Sequence, residues 1–332
     1  MSFCKRLCAL LLTLAAVLVL PLNALAAGRI DLTRDVGLTL SYRDGETPLS
    51  GAAFRLYFVA TADAYGELTV TEAFKGYSVD IRGKNDAAWH HLADTLAGYV
   101  LRDAIAPADS GKTDAHGQLV FPTDGGRLTA GLYLVTGQRH TQNGFRYDPS
   151  PFMVLLPAQE ANEWIYDVHA APKADISPLP EEGGTVERKV LKVWDDSGEG
   201  RPSSVTVQLL RDGAVYDTVT LSAKNHWRHL WSELDDAYVW QVVEQTVPEG
   251  YTVSVDREGI TFVITNTADI PSPTPPPDTP TPPPAPTDDT PKSPTLPQTG
   301  QLWWPVPLLA LAGLLLTAAG AAVRRRGAED EA

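Results

Sequence analysis

The chain has 332 residues and a formal net charge of -14 at neutral pH, long enough for more than one domain of the usual ~100–200 residues. No clustered basic surface accompanies that charge, which excludes a nucleic-acid partner, because phosphate binding demands one. The balance suits an exposed protein kept soluble by its own repulsion.

Residues 1–26 read as a signal peptide. Lys5 and Arg6 give the positive start, 9–20 the apolar stretch, and Ala24-Leu25-Ala26 the small-x-small cleavage pattern. Both cysteines, Cys4 and Cys8, lie inside this segment, and Ala27 rather than a cysteine follows the cleavage site. A lipoprotein signal is therefore not expected, and the mature chain carries no thiol for a disulfide, although an exported protein meets an oxidising compartment.

Residues 28–173 form a first region of strand-like runs. A turn at Pro48-Leu49-Ser50-Gly51 feeds Phe54-Arg55-Leu56-Tyr57, and further runs follow at Leu119-Val120-Phe121, Leu132-Tyr133-Leu134-Val135, Phe152-Met153-Val154-Leu155-Leu156 and Trp164-Ile165-Tyr166. Between them, the spacing of Leu92, Leu96, Tyr99 and Val100 predicts a helix over 87–104 with those four on one side. His90 and His91 are adjacent on that helix, point different ways, and read as surface residues rather than as a joint metal site.

This series is similar to the N-terminal domain of Gram-positive pilin subunits. Its early strands offer Arg29, Arg34 and Arg43 where a lysine would be needed, so no internal isopeptide bond is expected in it. At its end, Ala171-Pro172-Lys173 resembles the pilin motif, in which the lysine of a Y-P-K triplet receives the next subunit. Alanine stands in place of the tyrosine, and the alternative is a surface lysine before a hinge. Residues 174–184 are that hinge, a linker rich in Pro and Gly.

Residues 185–268 alternate in the manner of short antiparallel strands, with Asp212-Gly213 and Pro248-Glu249-Gly250 supplying turns. The pattern predicts a β-sandwich. Three polar residues share strand faces with apolar ones: Lys192 with Val190 and Trp194, Glu244 with Trp240 and Val242, Asn266 with Phe262 and Ile264. Parity alone leaves the buried face open, since Leu191 and Val193 are also apolar. The carboxylates of Asp195, Asp196 and Glu199 form a loop cluster that reads as solvated acids rather than a calcium site.

The phrases Lys192-Val193-Trp194-Asp195-Asp196, Val243-Glu244 and Ile264-Thr265-Asn266 resemble, in order, the collagen-adhesin B-type (Cna-B) domain. The resemblance implies an autocatalytic intramolecular isopeptide bond between Lys192 and Asn266, assisted by Glu244.

Residues 269–295 are dominated by Pro, Thr, Ser and Asp. Such a segment buries no core and extends as polyproline II at about 3.1 Å per residue, which makes it a stalk. Leu296-Pro297-Gln298-Thr299-Gly300 follows, then an apolar run at 302–323 and a basic tail at 324–332 opening on Arg324-Arg325-Arg326. The run matches the roughly 20 residues of a membrane-spanning helix, with its arginines on the cytoplasmic side. Motif, span and basic tail in that order resemble the LPxTG sorting signal. The resemblance implies that a sortase cleaves after Thr299 and joins that carbonyl to a peptidoglycan amine.

The expected architecture is mainly β: two tandem antiparallel β-sandwich domains, the first with a helical insertion, plus signal helix, Pro-rich stalk and C-terminal transmembrane helix. No nucleophile–base pair, phosphate loop or metal-spaced His cluster suggests an enzyme, and no cofactor is expected. The expected role is a secreted, cell-wall-anchored pilus subunit or structural surface component. Its expected partners are sortase, peptidoglycan and other pilin subunits. The alternative is a monomeric adhesin for a host matrix protein or glycan.

Overall fold

A computed structural model describes residues 28–268, except 83–84, 162, 180–182 and 199. The signal peptide, stalk, sorting motif, apolar span and basic tail lie outside the described residues. Among the described residues no helix is long and apolar enough to cross a membrane.

In chain order the elements that build the site are β1 (Gly37–Ser41), β2 (Ala53–Ala62), α1 (Asp86–Arg102), β3 (Gln118–Phe121), β4 (Gly131–Gly137), β5 (Phe145–Pro149), β6 (Phe152–Leu156), β7 (Asp167–Ala170) and β8 (Ala174–Pro178). There follow β9 (Thr185–Asp195), β10 (Ser204–Arg211), β11 (Ala214–Ser222), β12 (Arg228–Asp235), β13 (Trp240–Glu244), β14 (Tyr251–Glu258) and β15 (Thr261–Ala268). The chain is mainly β with one α-helix among the described residues.

In the first assembly β1 runs parallel to β7 and antiparallel to β3, while β4 pairs antiparallel with both β2 and β6 in a larger sheet. Leu38, Leu40, Phe54, Leu56, Phe121 and Val135 from the facing sheets close one core. The other face of the β2–β4 sheet carries Tyr57, Val59, Leu132 and Leu134, which α1 covers with Leu92, Leu96 and Val100.

Asn85 starts α1 by accepting the Ala88 amide at 2.9 Å, and Asp86 and Arg102 place opposite charges at its two ends, as the helix dipole favours. The helix therefore spans 86–102 rather than 87–104. Its apolar residues also divide between two sides: Tyr99 leaves Leu92, Leu96 and Val100 and joins the core of the second assembly.

That second assembly is a two-sheet sandwich. One sheet runs β12-β9-β15-β14 and the other β11-β10-β13. First and last strands, β9 and β15, lie side by side and parallel. The β10–β11 hairpin closes through Asp212 and Gly213, both at positive φ (50° and 87°), the backbone that a two-residue turn between twisted strands requires. Val190, Val255, Phe262 and Ile264 from one sheet meet Val207, Leu209 and Val242 from the other.

The segment 174–184 is not simply a hinge. Its first part is β8, paired antiparallel with β5 over Ala174–Pro178. Composition signalled Pro and Gly, but strand pairing is decided by the partner that lies alongside. The two assemblies also bond to each other directly. Arg146 Nη1 donates to Asp236 O at 2.9 Å, and Arg139, forked on Asp148 at 2.6 and 2.9 Å, donates to Ala237 O at 2.7 Å.

Candidate functional site

The register of β9 against β15 sets the site. Lys192 lies opposite Ile264 and Asn266 opposite Trp194, so lysine and asparagine share a sheet face on neighbouring strands, one pleat apart. The face that parity left open is settled. Val190 and Lys192 point into the sandwich, whereas Val193 is 36% exposed and Leu191 half-buried. Glu244, the last residue of β13, enters from the facing sheet and is fully buried, as is Asn266.

The Lys192 ammonium has no solvent exposure and stands 3.8 Å from Glu244 Oε2. It donates to the main-chain oxygens of Val193 (2.9 Å) and Ile264 (3.3 Å) and lies 4.3 Å from the centre of the Trp194 ring. Asn266 Nδ2 donates to Glu244 Oε1 at 3.1 Å. Glu244 Oε2 and Asn266 Oδ1 are buried with no hydrogen-bond partner.

Burial pushes the Lys192 amine down to about 8, against the pull of the Glu244 and Asp196 carboxylates. Burial also pushes the Glu244 carboxyl above its ordinary range, opposed by Lys192 and by the Asn266 amide. Both shifts favour neutral partners, because charge is disfavoured where water is excluded. A single proton moved from lysine to Glu244 supplies both. It leaves a nucleophilic amine and gives the carboxyl a hydrogen that an unsatisfied amide oxygen can accept. An amine, a primary amide and a carboxylic acid in one dry pocket are the reactants and catalyst of transamidation.

The other candidate positions separate from this cluster. Lys173 is exposed between β7 and β8, its main-chain oxygen accepting from Ser150 N at 2.9 Å. Thr299 and its motif lie outside the described residues. Of the loop acids, Asp195 is exposed as expected, but Asp196 is not a free solvated acid. Its side chain is 2% exposed and pairs with Arg201, while Tyr251 donates to it at 2.8 Å. The Arg201 hydrogen bonds hold its carboxyl down at about 2. His91 faces Asp256 at 3.6 Å, apart from His90, which is exposed.

Residues of α1 that border the site escaped the sequence reading. Tyr99 donates its hydroxyl to the Glu244 main-chain oxygen at 3.1 Å. The available signal was Gly98, a helix-disfavoured residue in mid-helix, which usually marks close packing.

Residues 188–267 match the family model of the Cna protein B-type domain. That match spans most of the second assembly, which is therefore similar to a B-type domain. A collagen adhesin of Staphylococcus aureus is 36% identical over 93 residues, covering 25% of this chain and 8% of that protein. This chain thus spans a small fraction of that relative's length.

Among solved structures, a single B repeat unit of the collagen-binding surface protein of Staphylococcus aureus aligns with 71% of this chain and 98% of its own, at 18% identity and a TM-score of 0.25. The full-length major pilin SpaD of Corynebacterium diphtheriae aligns with 72% of this chain and 65% of its own, at 17% identity and a TM-score of 0.27. The similarity to a B-type domain rests on the family match over 188–267, not on these superpositions.

Proposed function

We propose that this chain is a sortase-anchored cell-wall surface protein, a pilus subunit or structural surface component, whose B-type domain is locked by a Lys192–Asn266 isopeptide bond. The observation that carries the reading is the buried Lys192–Glu244–Asn266 cluster. A lysine sealed in a core is strongly destabilising unless paired or consumed, and here the adjacent groups are those that consume it.

The reaction balances without a cofactor. Neutral Lys192 Nζ attacks Asn266 Cγ while protonated Glu244 donates to Oδ1. The excess amine proton passes through Glu244 to the Asn266 nitrogen, the C–N bond breaks as ammonia departs, and Oδ1 returns its proton to Glu244 as the carbonyl re-forms, so Glu244 ends as it began. The product amide is neutral and suits a dry core better than the ion pair it replaces.

The anchoring half of the proposal draws on the sequence alone. The signal peptide, the Pro-rich stalk and Leu296-Pro297-Gln298-Thr299-Gly300 before an apolar span and Arg324-Arg325-Arg326 occur in the order that export and wall attachment need. In this reading the sortase cysteine attacks the Thr299 carbonyl, releases Gly300 onward, and yields to a peptidoglycan amine. A second reading, a monomeric adhesin for a matrix protein, is favoured by the collagen adhesin relative.

One digest tests both halves. Mass spectrometry of wall-released protein is expected to recover Thr299 joined to a peptidoglycan peptide, together with a branched peptide linking Lys192 to Asn266. Recovery of protein that still carries 302–323 as its main form overturns the anchoring.

A further inference from the structure

The carboxyl needed for transamidation comes from β13, and β13 is held from outside by the first assembly. Its residues alternate: Val242 and Glu244 face the sandwich core, while Val243 faces α1. A Cβ on Gly98 would lie 2.5 Å from Val243 Cγ1, so glycine is what lets the helix backbone approach the strand. From the next residue of the helix, the buried Tyr99 hydroxyl donates to the Glu244 main-chain oxygen at 3.1 Å. Arg102 Nη1 reaches the same oxygen at 3.5 Å and Gln245 O at 3.3 Å.

These donors are themselves fixed. Tyr99 stacks on Tyr77, with ring centres 4.9 Å apart and planes 10° from parallel. The Arg102 guanidinium covers the Tyr99 ring at 4.8 Å and forks onto Asp103, which also accepts the Tyr77 hydroxyl at 2.8 Å. The strand beside Asn266 is anchored from the same side. Val255 N donates to Thr95 Oγ1 at 2.7 Å and Val253 N to Ser78 O at 2.8 Å, and Val253 pairs with Asn266 across β14–β15.

Glu244 ends β13, and strand ends fray unless they are held. A reacting group must sit within a fraction of an ångström of its productive place, and supporting contacts supply that precision. We infer that α1 is a positioning element for isopeptide formation: Tyr99, with Gly98 and Arg102, sets the main chain of Glu244 so that its carboxyl meets Lys192 and Asn266 together. Docking of the first assembly thereby gates the covalent locking of the second. The inference rests on the reading of the cluster as reactive.

The test follows ammonia loss by intact mass after cell-free synthesis of the full chain, at several pH values, with circular dichroism as the control for folding. The reaction needs a protonated Glu244 and a free Lys192 amine, so its rate is bell-shaped in pH. Tyr99→Phe keeps the ring and removes the single hydrogen bond. It is expected to slow cross-linking by about ten-fold, the upper value of one such bond. Water admitted around a looser Glu244 relieves the burial that raises its pKa, so the limb of the profile that Glu244 sets moves to lower pH. Gly98→Leu favours the helix itself but wedges it off Val243, and is expected to slow the reaction further.

A contact that only stabilises the fold would lower the unfolding temperature and leave that limb in place. Wild-type rate and an unmoved limb in folded Tyr99→Phe protein overturn the inference, whether or not Gly98→Leu folds. Wild-type chain that never loses ammonia overturns the bond itself, and the wild-type sample alone reveals that outcome.

Discussion

Lys192 and Asn266 stand on parallel neighbouring strands one pleat out of register, Lys192 opposite Ile264 and Asn266 opposite Trp194. The offset lets a long lysine lean along its strand toward the asparagine. Meanwhile the main-chain oxygens of Val193 and Ile264 hold its amine. The proposed bond between them would tie the first strand of the second assembly to the last.

Closing that loop restricts the unfolded chain much as a disulfide of similar span does. The bond is expected to contribute roughly 4–5 kcal/mol on that analogy. Urea unfolding of wild type against Lys192→Met, which keeps the volume and removes the amine, is the comparison. Equal midpoints would remove the covalent contribution.

Asp94 on α1 gives the molecule a predictable pH response. Burial, then the Asp256 carboxylate, push it up from 3.8 to about 7, with Arg257 opposing and Asp175 adding. The folded chain therefore retains a proton here that the unfolded chain releases. The stability from this group is complete below pH ~4 and lost as pH rises through ~7. Asp94→Asn is expected to stabilise the protein by roughly 1–2 kcal/mol at pH 8, a value reduced for the water that reaches the carboxyl. Near pH 4 it should do little. Thermal unfolding at both pH values checks it, and an equal effect at both contradicts the assignment.

Lys173 is exposed, follows Pro172, and borders a strand that holds its main chain; if the protein polymerises, as the pilus reading proposed above has it, its amine is the acceptor for the incoming subunit. In a strain carrying the cognate sortases, wild-type protein is expected to form a high-mass ladder on gels of wall extracts. Lys173→Ala should reduce it to a single wall-linked species. A ladder that persists in the variant would move the acceptor to another lysine.

The triad's members were legible as polar residues spaced among apolar ones, but their direction was not. Alternation at 190–194 is ambiguous because Leu191 and Val193 on the outer face are also apolar, and only the facing sheet shows which side is dry. Tyr99 was grouped with Leu92, Leu96 and Val100 because a periodicity argument assumes one buried face, whereas α1 is covered on two. The Pro and Gly of 174–184 signalled a break but could not reveal that 174–178 pairs with β5. Likewise Asp196 reads as a loop acid until Arg201, five residues on, and Tyr251, distant in the chain, are brought to it.

The most direct measurement is the intact mass of the full chain, compared with Glu244→Gln, in which the carboxyl that moves the proton becomes an amide of the same shape. Wild type is expected to be lighter than its sequence by one ammonia for the Lys192–Asn266 bond, and Glu244→Gln to show the full sequence mass. A folded wild-type chain at full mass would contradict the bond, and with it the account of why a lysine, a carboxyl and an amide are sealed together in this core.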